Sequence, residues 1–436
     1  MDLKELTAEL PDSRRDEPPA GFPESFPGPG VRNREAAAQR KSHKMPTGPV
    51  KEYADSDGLY GRVDTQYAEF EGITLESGVF LGPLRVAYET YGALSPNRDN
   101  AVLILHALSG DAHVAGIDAN GRLGWWDAMI GPGKGIDTNK YFVICSNCLG
   151  GCKGTTGPPS INPATGKPYG RSFPLITMGD MVDVQAMLMR HLGIEKLHNV
   201  IGGSMGGMQA LEWSVRYPNA VSSAVVIAAT ARLSPQGIAF NWVGRNAIYC
   251  DPAAACSDEK QGHVYQKMGK GLAIARMIGH ITYLSEETME AKFGRQLRLK
   301  DITGYSYSLG ENGREGGEFE VESYLEHQGS SFMRRFDEDS YIIITKAIDY
   351  FDLEWTYGSL VEAFKNISAK MLIMSFSSDW LYPTAMSLAI VRALMAAKKD
   401  VSFVEVDLPY GHDSFLVNAG IPSLTRIVRG FLNGVR

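Results

Sequence analysis

Residues 199 to 209 read Asn-Val-Ile-Gly-Gly-Ser-Met-Gly-Gly-Met-Gln, so Gly202-x-Ser204-x-Gly206 sits between a short apolar run and a helical segment that continues through Leu211, Trp213 and Val215. A serine on a sharp strand-to-helix turn has strained backbone geometry, which bulky neighbours would not allow. Gly202, Gly203, Gly206 and Gly207 remove that obstacle. The chemistry this supports is nucleophilic attack on a carbonyl by the Ser204 hydroxyl, projected at a helix N-terminus where the Met205 N–H can stabilise a developing oxyanion.

A serine hydroxyl needs a base, and on a strand-turn-helix framework of this kind the partners follow in the order Ser, Asp or Glu, then His, each after a later strand. Four histidines follow Ser204: His263, His280, His327 and His412. The first three fall in a stretch without strands, whereas His412 lies just beyond an apolar run ending near Asp407, which makes it the expected base. The run Met371 to Phe376 is followed by Ser377-Ser378-Asp379-Trp380, so Asp379 is the expected orienting carboxylate. A second oxyanion donor belongs on the loop after an earlier strand, where Leu105-His106-Ala107-Leu108 nominates the Leu108 N–H. His106 and His113 lack a carboxylate-histidine grouping, and Cys145-x2-Cys148-x3-Cys152 is an incomplete zinc pattern, so no metal is expected.

The elements that must position these groups are legible around them. Apolar runs at 101–105, 141–145, 199–201, 224–229, 371–376 and 401–406 alternate with helical stretches such as Met181 to Leu192 and Gly207 to Tyr217. That alternation predicts an α/β fold, a mostly parallel sheet with helices on both faces. Thr74 to Phe80 and Leu84 to Tyr91, separated by Gly82-Pro83, read as antiparallel strands before it. Residues 232–365 carry helical patterns, including Gly271 to Tyr283 and Ser340 to Tyr350, and are expected to form a helical lid between core segments 61–231 and 366–436. Residues 1–60 hold eight of the 22 prolines, mixed with charge, and read as a disordered arm. A net charge of −7 argues against a nucleic-acid footprint. No run approaches the ~18 apolar residues of a membrane span. Five cysteines and a start without a secretory pattern point to the cytoplasm.

From about Phe70 onward the chain resembles the homoserine O-acetyltransferase family of the α/β-hydrolase fold, which also includes homoserine succinyltransferases and serine acyltransferases. The resemblance rests on HALSGDAHVAG from His106, GWWDAMIGPGKGIDT from Gly124, NCLGGCKGTTGPPSINPATGKPYG from Asn147, GGSMGGMQALEW from Gly202, AKFGR from Ala291, SSDWLYP from Ser377 and YGHDSFL from Tyr410. It implies an acyl-enzyme on Ser204, the triad completed by Asp379 and His412, acetyl-CoA as donor substrate with no permanently bound cofactor, and L-homoserine as acceptor in methionine biosynthesis. It further implies acceptor binding by Arg276, in the family's Gly-Leu-x-x-Ala-Arg context, by Asp413 and by Tyr283, and a homodimer. A guanidinium suits the carboxylate of such a zwitterion and an anion its ammonium. Succinyl-type relatives often carry arginine after the Asp-Trp pair, where this chain has Leu381, which favours acetyl. Succinyl transfer, serine as acceptor, an esterase of the same fold and a binding protein without turnover are the alternatives.

Overall fold

Strands covered on both faces must be apolar along their whole length. The middle of the sheet meets that condition: Ala101–Leu105, Asn199–Gly203 and Ser223–Ile227 are buried at every residue. The computed structural model describes residues 60–251, 270–298, 305 and 318–435. Its central sheet has eight strands: β1 Gln66–Phe70, β2 Leu84–Tyr91, β3 Ala101–Leu105, β4 Phe142–Ser146, β5 Asn199–Gly203, β6 Ser223–Ile227, β7 Lys370–Phe376 and β8 Val401–Val406. Their order is β1-β2-β4-β3-β5-β6-β7-β8. The first two pairings are antiparallel and the rest parallel.

One pairing differs from the sequence expectation. The antiparallel partner of Leu84–Tyr91 is Gln66–Phe70. Of the segment 74–80, only its ends enter a ladder, in which Ile73–Thr74 pairs with Phe80–Leu81. The chain between them closes into a tight turn, with Leu75 N–H to Val79 O at 2.9 Å and Gly78 at φ 84°, so little of it remains extended.

Helices α1 Met178–His191, α2 Met205–Arg216 and α10 Thr384–Ala396 connect successive strands and cover one face, while α11 Ile421–Asn433 covers the other. Successive residues of β3 serve the two layers in turn, Leu103 and Leu105 facing α1 and α2, Val102 and Ile104 facing α11. The apolar positions of α11, Ile421, Leu424, Val428 and Leu432, recur at three and four residues and form one buried stripe.

Between β6 and β7 the described chain contains α3 Pro235–Tyr249, α4 Gly271–Tyr283, α5 Glu286–Phe293, α6 Glu320–Met333, α7 Glu338–Asp349, α8 Leu353–Tyr357 and α9 Leu360–Phe364. Helix α4 packs against α3 and α6. The proline-rich arm expected at residues 1–60 lies, apart from Tyr60, outside the described residues. Among the described residues no helix is long and apolar enough to cross a membrane.

Candidate active site

Ser204 joins β5 to α2 with φ 58° and ψ −123°, a conformation that L-residues rarely adopt and that the flanking hydrogen bonds hold in place. Its N–H donates to Ile227 O at 2.9 Å, and its carbonyl accepts from the Gly207 and Met208 N–H groups at 2.9 and 3.1 Å. All four glycines are required by close approach: a Cβ on Gly202 would overlap the Gly206 backbone, and one on Gly207 would meet the Ala229 Cβ. A Cβ on Gly206 would overlap the Leu105 carbonyl oxygen at the end of β3, and one on Gly203 would meet the Phe415 ring. Gly206 thus brings the start of α2 against the loop that follows β3, while Gly203 allows the segment after His412 to pack on the elbow. Gly206→Ala is expected to destabilise the fold by roughly 3 kcal/mol, because backbone has to move to admit the methyl group. Gly430→Ala in α11, where a Cβ meets nothing within 4 Å, is expected to stabilise by up to about 1 kcal/mol. Thermal midpoints of the two variants check this.

His412 and Asp379 meet as expected. His412 Nδ1 lies 2.7 Å from Asp379 Oδ2, and both residues are buried. The other carboxylate oxygen, Oδ1, accepts from the Leu381 and Tyr382 N–H groups at 3.0 and 2.9 Å, which fixes the carboxylate plane. Burial, the largest single effect on His412, disfavours its charged form. The Asp379 charge and hydrogen bond, with a further contribution from Asp413, together outweigh burial and raise the imidazole above its ordinary value. His412 Nε2 is buried and has no hydrogen-bond partner among the described residues, so no hydrogen bond joins it to Ser204. Such contacts often tighten only with substrate in place.

A cleft with about 490 Å³ of empty space is lined by Ser204, Leu108, Tyr283, Leu381 and Tyr382 among others. Among the described residues the Leu108 N–H donates to no other group, and Met205 is the first residue of α2, where N–H groups lack intrahelical partners. His106 shapes the loop between them: Nδ1 lies 2.8 Å from Ala107 O while Nε2 accepts from Cys148 N–H at 2.9 Å. Burial pushes its pKa down, so it stays neutral. His113 is engaged by Glu89 and the Arg122 carbonyl. Among the described residues no group of three or more His, Cys, Asp or Glu is placed to hold a metal. Burial and the neighbouring Cys152 push the Cys148 thiol up to about 12, away from the thiolate that a metal needs.

Arg276 on α4 extends towards the loop after β3, with Nη1 3.4 Å from Ser109 Oγ and its guanidinium 4.8 Å from the centre of the Phe332 ring. Asp413 follows His412 directly. Burial raises its pKa, while His412 and Arg276 act in the opposite direction. Arg276 and Asp413 feel each other's charge, yet no ion pair joins them among the described residues. The Tyr283 ring lies 6.0 Å from that of His412. Of the expected site residues, Ser204, Leu108 and Tyr283 line the cleft, and the Tyr283 ring lies beside both His412 and Arg276, whose guanidinium is 5.8 Å from its centre.

Several contributors were not apparent in the sequence. Gln209 accepts from Gln185 Nε2–H on α1 at 2.6 Å and donates to the carbonyls of His106 and Met205, each at 3.4 Å, tying α2 to the loop that carries Leu108. The turn between α4 and α5 grips the loops that carry Asp379 and His412. Trp380 Nε1–H donates to Leu284 O at 3.0 Å, and the Thr288 hydroxyl, at 2.7 Å, and the Ser285 hydroxyl both donate to Pro409 O. Only the Ser-x-x-Thr spacing at the start of α5 hints at this, and it reads as a helix cap.

A buried acid-base pair beside a serine elbow at the carboxyl ends of parallel strands defines a member of the α/β-hydrolase fold, and the model of that fold matches residues 100–419. Within that fold, the chain belongs to the homoserine O-acetyltransferase family, whose members are acyltransferases. It is 53% identical over 363 residues to homoserine O-acetyltransferase of Rhodospirillum rubrum, covering 83% of this chain and 90% of the relative. With the enzyme of the same name from Methanococcus vannielii it shares 52% over 378 residues, 86% of this chain and 74% of the relative. The crystal structure of homoserine O-acetyltransferase from Bacillus anthracis superposes with a TM-score of 0.76 at 29% identity, over 86% of this chain and 99% of the other. Esterase E22 superposes with a TM-score of 0.74 at 29% identity, over 85% of this chain and all of the other.

Proposed function

We propose that the protein transfers the acetyl group of acetyl-CoA to the hydroxyl of L-homoserine through an ester on Ser204. His412 Nε2 accepts the Ser204 proton as Oγ attacks the thioester carbonyl, the Leu108 and Met205 N–H groups hold the oxyanion, and coenzyme A departs with the proton from His412. The acceptor hydroxyl then gives its proton to His412 and attacks the acyl-serine, which releases O-acetylhomoserine and restores the serine. Arg276 binds the acceptor carboxylate and Asp413 its ammonium, with Tyr283 beside them. The observation that carries this reading is the unpaired opposite charge of Arg276 and Asp413 flanking the His412–Asp379 pair, in a chain 53% identical to a homoserine O-acetyltransferase.

Transfer requires that the acceptor outcompete water. The helices between β6 and β7 serve as a lid in this reading, holding the acceptor by Arg276 on α4 and gaining from proximity and orientation. Leu381 lines the cleft where a cation for a succinyl carboxylate would be needed, which supports acetyl as the acyl group. The reading also takes the enzyme to be a cytoplasmic homodimer without a permanently bound cofactor. Exposed Trp242 on α3 and Ile274 and Ile281 on α4 give the lid an apolar outer surface suited to a partner copy.

The resemblance to an esterase favours one competing reading, acyl transfer to water. Thiol release from acetyl-CoA, measured with and without homoserine, separates the two. Release that depends on homoserine, with an O-acetyl product, is expected; release without acceptor that yields only acetate would sink the transferase reading. In the same assay Arg276→Ala is expected to raise the KM for homoserine about tenfold or more while leaving acyl-serine formation nearly intact, since a hydrogen-bonded charge is lost only from the acceptor. Equal damage to both half-reactions would count against that role.

A further inference from the structure

Helix α4 presents Arg276, His280 and Tyr283 at successive turns of one face, the face that reaches the cleft through Tyr283. His280 is 6% exposed, and its Nδ1 lies 3.0 Å from the Tyr324 hydroxyl of α6. Burial, reinforced by the charges of Arg276, Lys292 and Arg335, pushes its pKa down to about 3, so the ring is neutral throughout the working pH range. The tautomer in which the Tyr324 O–H donates to Nδ1 gives that hydroxyl its one acceptor among the described residues. A neutral imidazole that accepts at Nδ1 carries its proton on Nε2. In that tautomer the Nε2–H is buried without a partner among the described residues, and so is the Nε–H of Arg276 one turn away.

Buried donors need acceptors, and two N–H groups one helical turn apart, one of them on a full positive charge, suit the paired oxygens of a carboxylate better than any neutral group. We infer that His280, held in its Nε2–H tautomer by Tyr324, is a second donor to the carboxylate of the acceptor, acting beside Arg276. This rests on the acyl-transfer reading above and extends it: the site selects α-amino acid acceptors over amino alcohols through two side chains. His280 is a binding residue for the acceptor alone and has no part in forming the acyl-serine.

The test compares His280→Phe with the wild-type enzyme on two acceptors, homoserine and 3-aminopropan-1-ol, which keeps the hydroxyl and ammonium but has no carboxylate. The KM for homoserine is expected to rise about tenfold or more, the KM for 3-aminopropan-1-ol to stay within about twofold, and acyl-serine formation to be unchanged. His280→Gln, which returns an N–H near the Nε2 position, is expected to recover most of the loss. If His280→Phe does not fold, Tyr324→Phe, which only frees the tautomer, should raise the homoserine KM about threefold without affecting the amino alcohol. An unchanged homoserine KM, or equal weakening towards both acceptors, overturns the assignment. Acceptor-independent turnover by the wild-type enzyme overturns the transferase reading and this assignment with it.

Discussion

Ser204→Ala is expected to lower acyl transfer by about 10⁴-fold or more, with no acyl adduct on the peptide that carries residue 204. The loss should be chemical rather than structural. The backbone at φ 58° is held by hydrogen bonds from and to main-chain atoms, and these survive removal of the hydroxyl. Alanine has the same Cβ, so the strain at this position is unchanged and the thermal midpoint should barely move. The oxyanion donors remain in the variant and account for whatever rate is left. Quenching the wild-type enzyme with acetyl-CoA and no acceptor, then mapping peptides by mass spectrometry, should find the acetyl group on Ser204. A severalfold loss of rate, or an adduct on another residue, refutes the covalent route.

Asp379→Asn is expected to cost about 10³- to 10⁴-fold, for a reason visible in its hydrogen bonds. Leu381 and Tyr382 both present N–H donors to Oδ1, so an asparagine must turn its carbonyl towards them. Its amide nitrogen then faces His412 Nδ1 at the place of Oδ2, and as a donor it forces Nδ1 to accept. The imidazole proton moves to Nε2, the atom that must take the proton from Ser204, and the base is disabled.

The pH profile follows from the same pair. A base works when unprotonated, and His412 is raised above its ordinary value by Asp379, so wild-type activity should climb as pH rises through a value above 6.5. Without the aspartate, burial dominates and the imidazole falls, so the residual activity of Asp379→Asn should have its acidic limb displaced to lower pH under a reduced plateau. Recovery to the wild-type rate at high pH would mean that Asp379 acts only on the titration and not on the tautomer.

The elbow, the order of the triad candidates and the parallel strands were all legible in the sequence, because each rests on local rules. Glycines must flank a strained serine, buried strands must be apolar throughout, and loops after strands carry the partners in a fixed order. Leu84–Tyr91 was legible as a strand, yet its partner was not: Gln66–Phe70 has mostly exposed, mixed residues and gains its place only by pairing at the edge. Histidines in the helical segment could be sorted only by exclusion, since nothing near His280 in sequence reveals Tyr324, which comes from another helix.

Sequence alone thus determined which residues are the candidates for the chemistry and in what order the chain presents them, since strain, burial and turn chemistry act over a few residues. Only tertiary packing decided how those residues are held and what they can select. The grip of the α4–α5 turn on Pro409 and Trp380, the link from Gln209 to the loop after β3, and the contact of Tyr324 with His280 join segments tens to more than a hundred residues apart. Hydrogen-bond partners at that separation are set by how helices and loops stack, and residue spacing does not encode it.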